Sequence, residues 1–137
     1  MDKPTEANYP GMPALPAWSL SGTHSQLYDQ FEQTLVILEV YERNLSELMD
    51  EFTAVEDSSK AEEVVTASLD VRAAFSQLAA LAATFCQKSK DKDMKKEVAE
   101  TREAKQKSHT ELQLKAATIQ KKLTNMRTTS GGGTVPS

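Results

Sequence analysis

From Thr23 to Ser130 the chain reads THSQLYDQFEQTLVILEVYERNLSELMDEFTAVEDSSKAEEVVTASLDVRAAFSQLAALAATFCQKSKDKDMKKEVAETREAKQKSHTELQLKAATIQKKLTNMRTTS, without one glycine or proline. Loops, hairpins and phosphate-cradling turns draw on glycine's positive φ or proline's fixed φ, and neither is supplied here. The stretch therefore reads as helix, and the fold as all-α. Phosphate loops, dinucleotide fingerprints and nucleophile elbows are excluded from it on the same ground.

Apolar spacing divides the block into three helices. In the first, about 24–57, Leu27, Phe31, Thr34, Leu38, Tyr41, Leu45, Leu48, Phe52 and Val55 alternate in steps of four and three, the spacing of a coiled-coil seam. Leu35, Val36, Ile37 and Val40 make its middle apolar on nearly every side, so contact with two other helices is expected. Thr23 or Ser25 can cap its start. Ser58, Ser59 and Lys60 read as a short break, and Ser59 with Glu62 has capping-box spacing for a second helix, about 60–88. That helix carries the seam Val64, Ser68, Val71, Phe75, Leu78, Ala82 and Phe85, with alanines that permit close approach; it reads as the central helix. The polar run Lys88–Asp93 leads into a third helix, about 92–128, although helices two and three could be continuous. Its apolar residues are sparse from Ala99 to Glu111 and regular again at Leu112, Ala116, Ile119, Leu123 and Met126.

These elements predict a long antiparallel three-helix bundle or coiled coil with disordered tails. The expected core and interface seam is Leu38, Tyr41, Leu45, Leu48, Phe52, Val71, Phe75, Leu78 and Phe85. Leu112, Ile119 and Met126 are the expected seam for a partner, because the third helix is too polar to complete a bundle alone. Residues 1–22 hold Pro4, Pro10, Pro13 and Pro16 and read as an extended or disordered arm, with Trp18 as a candidate anchor on a partner or on the first helix. Residues 129–137 read as a disordered Gly/Ser tail.

Composition narrows the function. Of the 137 residues 39% are hydrophobic, below the roughly 45–50% of ordinary globular domains, so the core is thin or shared. The lone Cys86 permits no internal disulfide, and no secretory signal or membrane span of about 20 apolar residues is read, which suggests an intracellular protein. Residues 1–86 carry four Lys/Arg against fourteen Asp/Glu, whereas residues 87–137 carry twelve against six. The halves should attract within the molecule or between subunits. Nucleic acid is the weaker reading of the basic half, since acids interrupt it and no aromatic follows Phe85 to stack on bases.

Chemistry is poorly provided for. Cys86 sits on an Ala/Phe-rich face where a thiol is inert, and His24 and His109 form no zinc-site spacing. No catalytic, cofactor or metal residues are expected, and no cofactor. An enzyme is the least expected class.

The second-helix series Phe75-Ser-Gln-Leu-Ala-Ala-Leu-Ala-Ala-Thr-Phe85-Cys-Gln-Lys88, set between an amphipathic first helix and a charged third, resembles the small helical subunits of the transcriptional Mediator complex, subunit 28 of its head module above all. Subunits 22 and 11 look similar at a coarser level. The resemblance implies a nuclear, non-catalytic subunit that packs among other helical subunits and couples activators to RNA polymerase II. A free-standing three-helix adaptor is the alternative, as is a subunit of a kinetochore, cytoskeletal or vesicle-tethering complex. Self-association is also open to such a chain.

Overall fold

The computed structural model describes the backbone of residues 4–134 and the side chains of residues 4–128. It contains three helices, α1 (His24–Val55), α2 (Ser58–Lys88) and α3 (Lys92–Thr134), and among the described residues no strand beyond one isolated bridge. The expected tail at 129–137 begins inside the backbone of α3, and its last three residues, like residues 1–3 of the arm, lie outside the described residues.

Each helix starts where a side chain can take up free N–H groups. Thr23 accepts from the N–H of Gln26, whose own side chain accepts from the Thr23 N–H, forming a capping box. The second start differs from the sequence reading. Asp57, not Ser59, caps α2 by accepting from the Lys60 N–H at 2.7 Å, so Ser58 and Ser59 belong to the first helical turn. The α1–α2 turn then needs only Glu56 and Asp57, because Glu56 adopts left-handed geometry (φ 45°) without being glycine. After Lys88, Ser89 leaves the helical path with an extended backbone. Asp91 opens α3 by accepting from the N–H groups of Asp93 and Met94, so α2 and α3 are separate helices.

The contacts run in opposite order along α1 and α2: Tyr28 meets Phe85 near one end, and Lys60 pairs with Glu51 near the other. Between α2 and α3, Cys86 lies by Lys95, Phe75 by His109 and Glu62 by Arg127. α2 packs extensively on both neighbours, while α1 and α3 barely approach each other. This central place explains the composition of α2, whose small Ala61, Ala67, Ala74 and Ala82 are all buried. α2 is also long and apolar enough to pass for a membrane span, with half of that window buried, as a bundle's core helix would be.

All nine residues of the expected core seam are buried. The α1 seam fails only at its last member, since Val55 is 59% exposed where the helix runs out. Thr34, its one polar member, is fully buried with its hydroxyl unpartnered. Val36 is exposed, and Leu35, Ile37 and Val40 are half-buried, so the apolar middle of α1 is only partly covered.

The arm is extended but held. Leu15 is buried in the core, and Ala7, Tyr9, Met12 and Trp18 pack against it half-buried. Residues 5–15 close into a loop through paired backbone bonds between Thr5 and Leu15 (2.7 and 2.8 Å), with Pro10 and Gly11 at its tip. Gly11 has φ 86°, the value that suits glycine in the position after proline of a tight turn.

Candidate interaction surfaces

Three surfaces carry specific side-chain arrangements. The first is the groove between α1 and α2 on which the arm lies. Asp70 of α2 is 3% exposed, and both of its oxygens are taken up by the arm. Oδ1 accepts from the Asn8 N–H (2.6 Å) and side-chain amide (3.0 Å), and Oδ2 accepts from the Tyr9 N–H (2.9 Å). The Tyr9 hydroxyl donates to Glu63, a bond that raises its pKa together with burial. From α1, the Tyr41 hydroxyl donates to the Pro13 carbonyl; burial, then the charge of Asp70, pushes its pKa up to about 12. Lys88 closes the far end by donating to the carbonyls of Leu20 and Gly22. The groove thus offers carboxylate acceptors around Asn8 and Tyr9, and hydroxyl and ammonium donors to carbonyls further along the arm. Trp18, expected as an anchor, lies half-buried on this bundle, with its indole N–H buried and unpartnered.

The second surface is the cleft between α1 and α3. It has a volume of about 380 Å³, with buried Met49 and Ile119 at its floor and Ser46, Asp50, Thr53, Lys115 and Thr118 around them. Further along the same seam Lys105 reaches across to Glu42 (2.9 Å) and Glu39 (3.2 Å). Burial pulls the pKa of Lys105 down, but the bonds and charges of Glu42 and Glu39 outweigh it and leave the ammonium above its usual range. The Tyr28 hydroxyl donates to Glu97 across the same gap. The acidic and basic halves of the chain therefore meet inside one molecule.

The protein matches no family model, no curated protein and no solved structure.

The third surface is the α2–α3 contact, where the sparse middle of α3 is held by polar groups. His109 stacks on Phe75 with ring centroids 4.4 Å apart and 9° between planes, and the Arg102 guanidinium lies 5.9 Å from the same ring. Arg72 donates to Gln113, which donates in turn to the Ser68 carbonyl. These contacts redirect the seam expected for a partner: Ile119 is buried, and Leu112 and Met126 pack half-buried against the bundle's own core. The outward apolar residue of α3 is instead Leu114, 65% exposed.

Burial, and then the charge of Arg72, lowers the pKa of His109, whose Nδ1 is buried without a partner. The folded state thus favours neutral imidazole, and the unfolded chain takes up the proton first as pH falls. This contribution to stability is present above about pH 6.5 and is lost as pH falls through that value. Melting temperature should drop between pH 7.5 and 5.5. His109→Phe, which keeps a stacking ring, should narrow that drop by about 2–4 °C. An unchanged drop would assign the pH effect to other groups.

Cys86 is half-buried, and its thiol faces the Lys95 carbonyl at 3.8 Å. Among the described residues no three His, Cys, Asp or Glu side chains converge to hold a metal. Asp70 is the residue that sequence reading missed, since an aspartate in a charged helix reads as solvent-facing. Its one local signal is position: it directly precedes the seam member Val71 and lies four residues before the buried Ala74, next to the buried stripe.

Proposed function

We propose that this chain is a non-enzymatic helical scaffold subunit, an antiparallel three-helix coiled-coil bundle that receives a partner helix. The observation that carries the reading is the α1–α3 cleft: both helices pack along α2, meet each other through long polar side chains, and leave Met49 and Ile119 beneath an opening about 380 Å³ in volume. An amphipathic helix laid there would cover the apolar floor and pair with both rims. The setting favoured by the Phe75–Lys88 series is a Mediator-type coactivator complex in the nucleus, with other helical subunits as partners and no nucleic acid or membrane span required.

Affinity purification of the full chain with mass spectrometry tests both levels. Helical Mediator subunits should co-purify, and the double variant Ser46→Arg, Thr118→Arg should lose them at least about 10-fold, equivalent to about 1.4 kcal/mol, with little change in melting temperature. An eluate free of Mediator subunits would sink the transcriptional setting. Partners retained by the rim variant would sink the cleft.

A free-standing adaptor is favoured by a different observation, namely that the arm covers the α1–α2 groove with segments of the chain itself. Sedimentation and thermal melting separate the two. A compact monomer with a sharp two-state melt supports the adaptor, and a partner-dependent or broadly melting species supports the subunit.

A further inference from the structure

The middle of α3 is held differently from its ends. Val98 and Ala116 are buried, whereas from Ala99 to Glu111 no residue is buried and the segment holds only polar residues and alanine. Two sets of side-chain contacts attach it. Lys105 pairs with Glu42 and Glu39 of α1. Towards α2, His109 and Arg102 share the ring of Phe75, the imidazole stacked with centroids 4.4 Å apart and the guanidinium 5.9 Å from the centroid. Phe75 is buried beneath them. Of these groups His109 is the one whose charge can change near neutral pH. Its Nδ1 is buried and no acceptor meets it. Arg72 faces it from α2, and Arg102 of α3 lies over the same Phe75 ring. Lys105, one turn earlier, is turned away to the carboxylates of α1. The imidazole thus sits among cations, in a place that suits it only while it is neutral.

From this arrangement we infer that His109 is a proton-operated latch: when it is protonated the middle of α3 lifts from α2, between the anchors Val98 and Ala116, while the rest of the bundle stays assembled. Lifting exposes little apolar surface except Phe75, because the segment has no apolar face of its own, so this part of the fold opens more readily than the seams. It also widens the adjoining groove of about 360 Å³, in which Ala79 and Ala82 of α2 face Ala99 and Arg102 of α3. The closed form favours the neutral ring, and the lifted form returns the ring to water. Closure is therefore complete above about pH 6.5 and is lost progressively as pH falls below that value. The acid form presents an apolar strip of α2, from Phe75 along the groove, that the neutral form covers.

Nuclear magnetic resonance of the isotope-labelled full chain tests the latch. At pH 7.5 the rings of His109 and Phe75 should show mutual Overhauser contacts. At pH 5.5 these should weaken at least about 3-fold as the ring takes up its proton, while the contact between Tyr28 of α1 and Phe85 of α2 holds. In His109→Phe the replacing ring should keep its contact with Phe75 at both pH values. His109→Gln, which stays neutral throughout, gives a second reading should phenylalanine disturb the fold: the Phe75 resonances should then stay in place between the two pH values. A His109–Phe75 contact that persists at pH 5.5 would overturn the inference. Loss of the Tyr28–Phe85 contact in step with it would make the event unfolding of the whole bundle, and the latch would fall. An equal acid effect on Phe75 in both variants would assign the opening to other groups and end the role of His109.

Discussion

Leu45→Asp should abolish cooperative folding at 25 °C. Leu45 is fully buried midway along α1, at the centre of the seam that meets α2. Cutting back a buried leucine costs about 2–5 kcal/mol through lost transfer energy and the cavity left behind. Aspartate adds the desolvation of a charge with no donor among its buried neighbours, several kcal/mol more after relaxation. The total is comparable with the about 5–15 kcal/mol that holds an ordinary domain together. Far-ultraviolet circular dichroism should therefore show a broad, weak transition where the parent chain melts. Val36→Asp, on an exposed position of the same helix, is the control, with an expected change within about 0.5 kcal/mol. A Leu45→Asp chain that melts within a few degrees of the parent would mean that the seam does not face α2.

Asp70→Ala should release the arm while leaving the three helices in place. Hydrogen bonds to a charged group contribute about 1.5–3 kcal/mol each in favourable cases, and Asp70 accepts three. The freed N–H groups of Asn8 and Tyr9 can reach water once the arm lifts, which limits the expected loss to about 2–3 kcal/mol. Trp18 emission should move to the red, with helicity nearly unchanged. Asp70→Asn keeps one acceptor and should fall between the parent and Asp70→Ala. Should Trp18 stay shielded in Asp70→Ala, the packing of Leu15 and not the carboxylate holds the arm.

The two variants differ in how visible their residues were beforehand. Leu45 stands in a run of apolar residues spaced four and three apart, and that spacing alone assigns it to an interior face. Asp70 offers no such cue, because an aspartate is buried only when distant donors meet it, and those donors lie in a segment that composition reads as a proline-containing arm. The Tyr9-Pro10-Gly11-Met12 series could have supplied a hint, since proline followed by glycine marks a tight turn. Its placement against α2 could not be read from it. The α1–α2 turn gives a second contrast. A block without glycine is expected to break at Ser58–Lys60, yet the turn is made two residues earlier, by Glu56 in a left-handed geometry that glycine tolerates better and by Asp57 in a cap position that suits it.

The third helix shows where periodicity stops being informative. Leu112, Ile119 and Met126 lie on one stripe, and a stripe does not say whether its cover is the same chain or another. Here α2 and the polar contacts of Lys105, Arg102 and His109 keep α3 on its own bundle, so the stripe is turned inward.

The sequence by itself determined that the chain is helical, where the α1 and α2 seams run, and that its acidic and basic halves are complementary, because these properties repeat over a few residues and are set by local geometry. Only the tertiary structure decided the docking of the arm, the burial of Asp70 and the inward face of α3. Each of these rests on groups tens of residues apart meeting in a low-dielectric interior, where a donor or an apolar neighbour counts only once folding has brought it within reach.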